Sequence, residues 1–131
     1  MEMIISFDGN KKVSAHWHGF TIATDQPESA GGENSAPTPF DLFLASMGTC
    51  AGIYVKGFCD QRGIPTEGIR LVQHMTWDND KKVMSHFNID IEVPADFPEK
   101  YHHAVVAAAE QCTVKRHFTN IPEFQITLKN V

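Results

Sequence analysis

The sequence predicts an α+β fold, with antiparallel strands kept apart from two helices and a cysteine near the middle of the longer one. Three observations point there. Short alternating runs open the chain, a stretch with apolar residues three and four apart follows, and two longer alternating runs stand side by side in the second half.

Met3 to Phe7, Val13 to Trp17 and Phe20 to Ala23, divided by Asp8-Gly9-Asn10 and by Gly19, read as a small antiparallel meander. From Asp25 to Pro37 the composition turns to Gln, Pro, Glu, Ser, Gly and Asn around Gly31-Gly32, which reads as a flexible loop. A loop that long inside a compact domain is either disordered or functional, and a lid over a pocket is the economical role. No Lys-Ser/Thr follows the glycines, so a phosphate-binding loop is a weak reading.

A long helix should begin at Thr38. That residue can cap it, Pro39 suits the first helical position, and Asp41 stands where a carboxylate reaches back to the cap's backbone N–H. Phe40, Phe43, Met47, Cys50, Tyr54 and Phe58 then mark one helical face, which puts Cys50 on a buried stripe and Cys59 off it, as an incidental thiol. The small residues around Cys50 call for close packing against another element. Gly63 and Pro65 end the helix near Arg62.

Ile69 to Trp77 and Val83 to Val93 alternate strongly and are joined by Asp78-Asn79-Asp80-Lys81-Lys82, a hairpin with one covered face. His74 and His86 fall on its polar side, and Trp77, like Trp17, reads as a core or interface aromatic. Asp96-Phe97-Pro98-Glu99 looks like a helix start, and Tyr101, Ala104, Val105, Ala108 and Cys112 continue at helical spacing, so a second helix leads to Cys112. Alternatively the helix breaks at Gln111 and restarts, with Cys112 at the new N-terminus. Phe124, Ile126 and Leu128 read as a last strand.

A chain of 131 residues suits one domain, 1–131. The formal charge of −5 and three scattered arginines, Arg62, Arg70 and Arg116, argue against nucleic acid as a partner. No apolar run approaches the ~20 residues of a membrane span, so no membrane association is expected. Three cysteines are an odd number, and Asp8 and Gly9 interrupt what would be the apolar core of a signal peptide, so the thiols are expected in a reducing cytosol. His16 and His18, and His102-His103, lack a Cys or carboxylate at ligand spacing; neither metal nor cofactor is expected.

Two segments carry a family resemblance. APTPFDLFLASMGTCAGIYVKGFCDQRGI resembles the signature helix of the OsmC/Ohr family, and AAAEQCTVKRHF resembles its second cysteine segment, usually Cys-Pro-Val, with Thr113 here in the proline's place. The order of elements agrees over nearly the whole chain. The resemblance implies a single OsmC-like domain in an intertwined homodimer with sites at the subunit interface. It further implies a thiol peroxidase of the oxidative stress response, acting on small organic hydroperoxides. In that reading Cys50 forms a sulfenic acid, Cys112 resolves it to a disulfide, and a dithiol reductant restores both.

In the family's peroxidases an N-terminal arginine and a glutamate ten residues before the first cysteine lower its pKa. Here Phe40 stands at that place and no arginine precedes Arg62. Asp41, Glu33, His16 and His18 are the available substitutes, and Phe40, Phe43, Met47 and Tyr54 the candidate pocket walls. Without the arginine, burial is expected to raise the pKa of Cys50. The alternative function is accordingly non-catalytic: a redox-responsive OsmC-like protein binding a small apolar or thiol ligand at the dimer interface.

Overall fold

In the computed structural model, which describes all 131 residues, the chain forms two compact units, residues 1–45 and 46–131. In the first, β1 (Ile4–Phe7), β2 (Val13–Trp17) and β3 (Phe20–Thr24) form an antiparallel sheet in the order β1-β2-β3. Ile5 pairs with Ala15 and Ala15 with Ile22 across it. The β2–β3 turn is tight enough to need positive φ at both His18 (49°) and Gly19 (81°). His18 therefore leaves the strand. The alternation that would set it on one face with His16 ends at Trp17, whose ring it meets edge-on at 4.1 Å.

The segment expected to be a flexible loop is instead organised around one carboxylate. Asp25 is fully buried and accepts hydrogen bonds from the backbone N–H groups of Gln26 (2.8 Å), Glu33 (3.3 Å) and Ser35 (3.0 Å) and from the Ser35 hydroxyl (2.6 Å). A buried carboxylate survives only when its lone pairs are met, and here turn-forming residues supply the donors. The Ser35 hydroxyl leads these contacts in lowering the Asp25 pKa from 3.8 to about 2. Gly32 packs so closely that a Cβ there would lie 1.9 Å from the carbonyl oxygen of Gln26.

Helix α1 (Pro39–Gln61) starts with the expected capping box: the Thr38 N–H donates to Asp41 Oδ2 (2.9 Å) and the Asp41 N–H to Thr38 Oγ1 (3.1 Å). Its inward face differs from the expected stripe. Met47, Ala51, Val55, Phe58 and Cys59 are the buried residues, whereas Cys50 is half-buried. The inward row mixes large and small side chains, and of α1's glycines only Gly48 is closely approached, by the Gln73 side chain; Phe40 and Phe43 are substantially exposed and stack on each other at 5.7 Å. Cys59, expected to be incidental, is fully buried among Val55, Phe58, Phe97 and Val105. Burial raises its pKa, aided by Asp60.

In length and composition α1 could cross a membrane, with a window of mean hydropathy 1.4, contrary to the expectation that no apolar run approaches a span. The reason is compositional: Phe, Leu, Met, Cys, Ala, Ile and Val raise the mean of the window, while the glycines, Ser46 and Thr49 interrupt them so that no long unbroken apolar run shows in the sequence. Only 28% of that window is buried within the chain.

In the second unit, β4 (Arg70–Asp78) and β5 (Val83–Glu92) form the expected antiparallel hairpin, with a register shift between Thr76 and Trp77. Its covered face is incomplete: Leu71 and Ile91 pack on the core, but Met75 and Trp77 stay substantially exposed. His74 lies 3.2 Å from Asp90 on the polar side. A 3-10 turn, Glu99–Tyr101, leads into α2 (His102–Ala109), and α3 (Thr113–Thr119) follows after a break. Cys112 is thus not on the apolar stripe of α2; it is the N-cap of α3, with an extended backbone (φ −46°, ψ 122°). The expected last strand is absent. Residues 121–131 have no regular structure, and Phe124, Ile126 and Leu128 are almost fully exposed, since no strand edge within the chain pairs with them.

Candidate active site

Cys50 sits midway along α1 and Cys112 at the head of α3, and the two sulfurs interact as hydrogen-bond partners. Both are free thiols. Cys112 is 3% exposed; its Sγ accepts from the Lys115 N–H (3.5 Å) as a helix cap and contacts the Met47 carbonyl oxygen at 4.0 Å. The break between α2 and α3 allows this, because a restarted helix presents fresh, unpaired N–H groups to whatever stands at its head.

The electrostatics are asymmetric. At Cys50 burial opposes the thiolate, but the backbone N–H groups of Val114 and Thr113, the Cys112 thiol and the charge of Arg116 outweigh it. The net shift is downward. This overturns the expectation of a raised pKa, which considered only cations preceding the helix. At Cys112 burial raises the pKa, and donation to Cys50 raises it further. Of the two thiols, Cys50 is the one that ionises more readily.

The other residues singled out in the sequence have local partners. Glu33 pairs with Lys12, and Asp41 is occupied by the capping box, which lowers its pKa through the Thr38 backbone first. His16 meets the Ser6 hydroxyl through Nε2 (2.9 Å) and the Thr21 hydroxyl through Nδ1 (3.3 Å). No group of three His, Cys, Asp or Glu side chains converges as a metal site.

A cleft of about 530 Å³ opens beside Cys50. Tyr54 and Phe58 from α1 form one wall, with Ala108 and Thr113 across from them. The Tyr54 hydroxyl lies 3.2 Å from Thr113 Oγ1, tying α1 to the head of α3. Of the expected pocket walls, Tyr54 lines this cleft and Met47 is buried in contact with Cys112. The sequence reasoning did not single out Thr113, Val114 or Arg116 as the groups acting on Cys50. The signal was the possible helix restart after Gln111, with basic residues following it.

A pair of neighbouring thiols carried by two helices, in a chain that otherwise forms antiparallel sheets, defines a class of α+β proteins. Residues 32–127 match the family described as OsmC-like protein, and the chain belongs to that family. Solved structures agree in fold. A Psychrobacter arcticus protein, named for osmotic stress induction and detoxification response, aligns with TM-score 0.71 at 22% identity, covering 87% of this chain and 85% of that one. An OsmC-like protein from Mycoplasma pneumoniae gives 0.70 at 11%, covering 92% and 87%. An organic hydroperoxide resistance protein OsmC from Legionella pneumophila gives 0.54 at 18%, covering 90% and 89%. No curated protein matches the chain at significant similarity.

Proposed function

We propose that this OsmC-like protein is a cysteine-based thiol peroxidase that reduces organic hydroperoxides, with Cys50 as the attacking thiolate and Cys112 as the resolving thiol. One observation carries the reading: beside a single cleft, the Cys50 pKa is lowered while that of its hydrogen-bond partner Cys112 is raised. Attack by sulfur on a peroxide requires the thiolate, and resolution requires a second thiol close enough to condense. The Legionella protein's name supports the choice of substrate class.

The Cys50 thiolate attacks one peroxide oxygen; an S–O bond forms, the O–O bond breaks, and the departing alkoxide takes a proton to leave as the alcohol. The Cys50 sulfenic acid then condenses with Cys112, forming the S–S bond and releasing water. An external dithiol returns two electrons and two protons to restore both thiols. The apolar cleft wall suits an organic peroxide body. We further read the protein as a cytosolic homodimer in which the exposed part of α1 outside the cleft, Phe40 and Phe43, is covered by a second copy rather than by lipid. The ion pair of Lys56 with Asp60 within its last turns fits an aqueous setting better than a bilayer core.

The test is to add one equivalent of cumene hydroperoxide to reduced protein and map the products by non-reducing mass spectrometry. A Cys50–Cys112 disulfide with Cys59 still a thiol is expected. Three unchanged thiols, or a linkage through Cys59, overturn the proposal.

A further inference from the structure

We propose that Arg62 is the specificity-determining residue of the cleft beside Cys50, selecting an amphiphilic organic anion, a carboxylate with an apolar body, over the neutral molecule of the same shape. The inference builds on the cleft being the substrate site of the proposed peroxidase. Arg62 is the one cationic side chain lining it, and no acidic side chain joins it there. Its partners leave most of the guanidinium open: Nη1 donates to the Phe58 carbonyl oxygen (3.1 Å), and the guanidinium carbon lies over the Phe58 ring, 3.7 Å from its centroid, with the Tyr101 ring at 5.4 Å. A guanidinium has five N–H donors, and a cation–π contact with a ring uses none of the carboxylate-binding fork outright. By contrast Arg70 is engaged by Glu92, and Arg116 donates to the Gln111 carbonyl oxygen.

The placement fits one kind of molecule. Arg62 follows the last residue of α1 and folds back to the level of Phe58, eight residues along the helix from Cys50. At 1.5 Å per residue, roughly 12 Å separate the reactive sulfur from the cation. Between them lie the apolar side chains of Ile53, Tyr54 and Phe58, and Gly57, where a Cβ would meet nothing within 4 Å. A ligand with its reacting end at Cys50, an apolar body along this wall and a carboxylate on the guanidinium edge uses all three features. In a chain of net charge −5, an arginine without an acidic partner at the end of an apolar groove has a positive preference to express.

Octanoate and 1-octanol, matched in body and free of peroxide, test this by NMR titration of the reduced full-length protein. Octanoate is expected to bind about tenfold more tightly, with shifts at Tyr54, Gly57 and Arg62. Arg62→Gln should abolish that preference and Arg62→Lys should keep part of it. Gly57→Leu, which fills the groove, should weaken both ligands. Equal affinities in the unaltered protein overturn the proposal, as does a preference that survives Arg62→Gln or shifts that avoid the cleft. Should Arg62→Gln fail to fold, the unaltered protein at low and high salt decides the matter, since an ionic preference must shrink as salt rises. Because neither probe is a peroxide, failure here leaves the disulfide-mapping result intact, and failure there leaves this one.

Discussion

Thr113 does two things that a proline in its place could not do: it offers a backbone N–H to Cys50 and a hydroxyl to Tyr54. It is the first residue of α3, the helical position that best tolerates proline, because the N–H there is not needed by the helix. Thr113→Pro should therefore keep the fold and raise the Cys50 pKa, whereas Thr113→Val, which retains the N–H, should shift it less. The pH dependence of iodoacetamide alkylation at Cys50 reads both; equal pKa values in the two variants would show that the N–H contributes nothing. Cys59 shows how local spacing can mislead. It lay off the stripe drawn through the large residues of α1, yet it is the most deeply buried thiol, because the tertiary partners come from Phe97 and Val105, far away in sequence. Cys59→Ala should cost about 1 kcal/mol of stability, the scale of one methylene-sized group, and leave the disulfide reaction unchanged.

Among the elements, the Asp25–Pro37 segment departs furthest from its sequence-based reading. Its glycines and serines looked like freedom, but they are what allows the backbone to close around a carboxylate. The Asp25 pKa is lower in the folded protein than in the unfolded chain, so its contribution is fully present above about pH 4 and is lost as pH falls toward 2. Asp25→Asn should lower the thermal midpoint at pH 6, and the gap from the unaltered protein should narrow on acidification; a gap independent of pH would refute the assignment. At Gly32 a methyl group collides with backbone, which cannot swing aside, so Gly32→Ala should destabilise by about 1–3 kcal/mol in urea unfolding. The break between α2 and α3 was legible only as one of two options. Apolar periodicity ran through it, and the choice between continuing and restarting depended on what Cys112 would pack against.

For the whole molecule, the apolar surface left open is large in kind if not in number of elements. Phe20 in the first unit and Ile53, Met75 and Trp77 in the second are exposed, as are Phe124, Ile126 and Leu128 at the end of the chain. Alternating apolar residues without a paired edge are what a strand supplied to another copy looks like. In the homodimer proposed above, light scattering should give twice the 14.6 kDa chain mass, and removal of residues 121–131 should lower the dimer fraction. A monomeric full-length chain would refute the dimer.

The sequence by itself determined the elements whose signals are local. The meander and hairpin follow from two-residue alternation, and the start of α1 from a capping box that needs only Thr38 and Asp41. The two cysteine segments were legible for a similar reason, since each is contiguous. The tertiary structure alone decided the state of those thiols. Whether Cys50 is raised or lowered depends on the balance between burial and donors some sixty residues downstream, at the head of a helix whose very start was ambiguous. It also decided which face of α1 turns inward, where Arg62 folds back, and that the final alternating run finds no partner within its own chain. Hydrogen bonds, burial and charge act through space, and periodicity along the chain records only half of each contact.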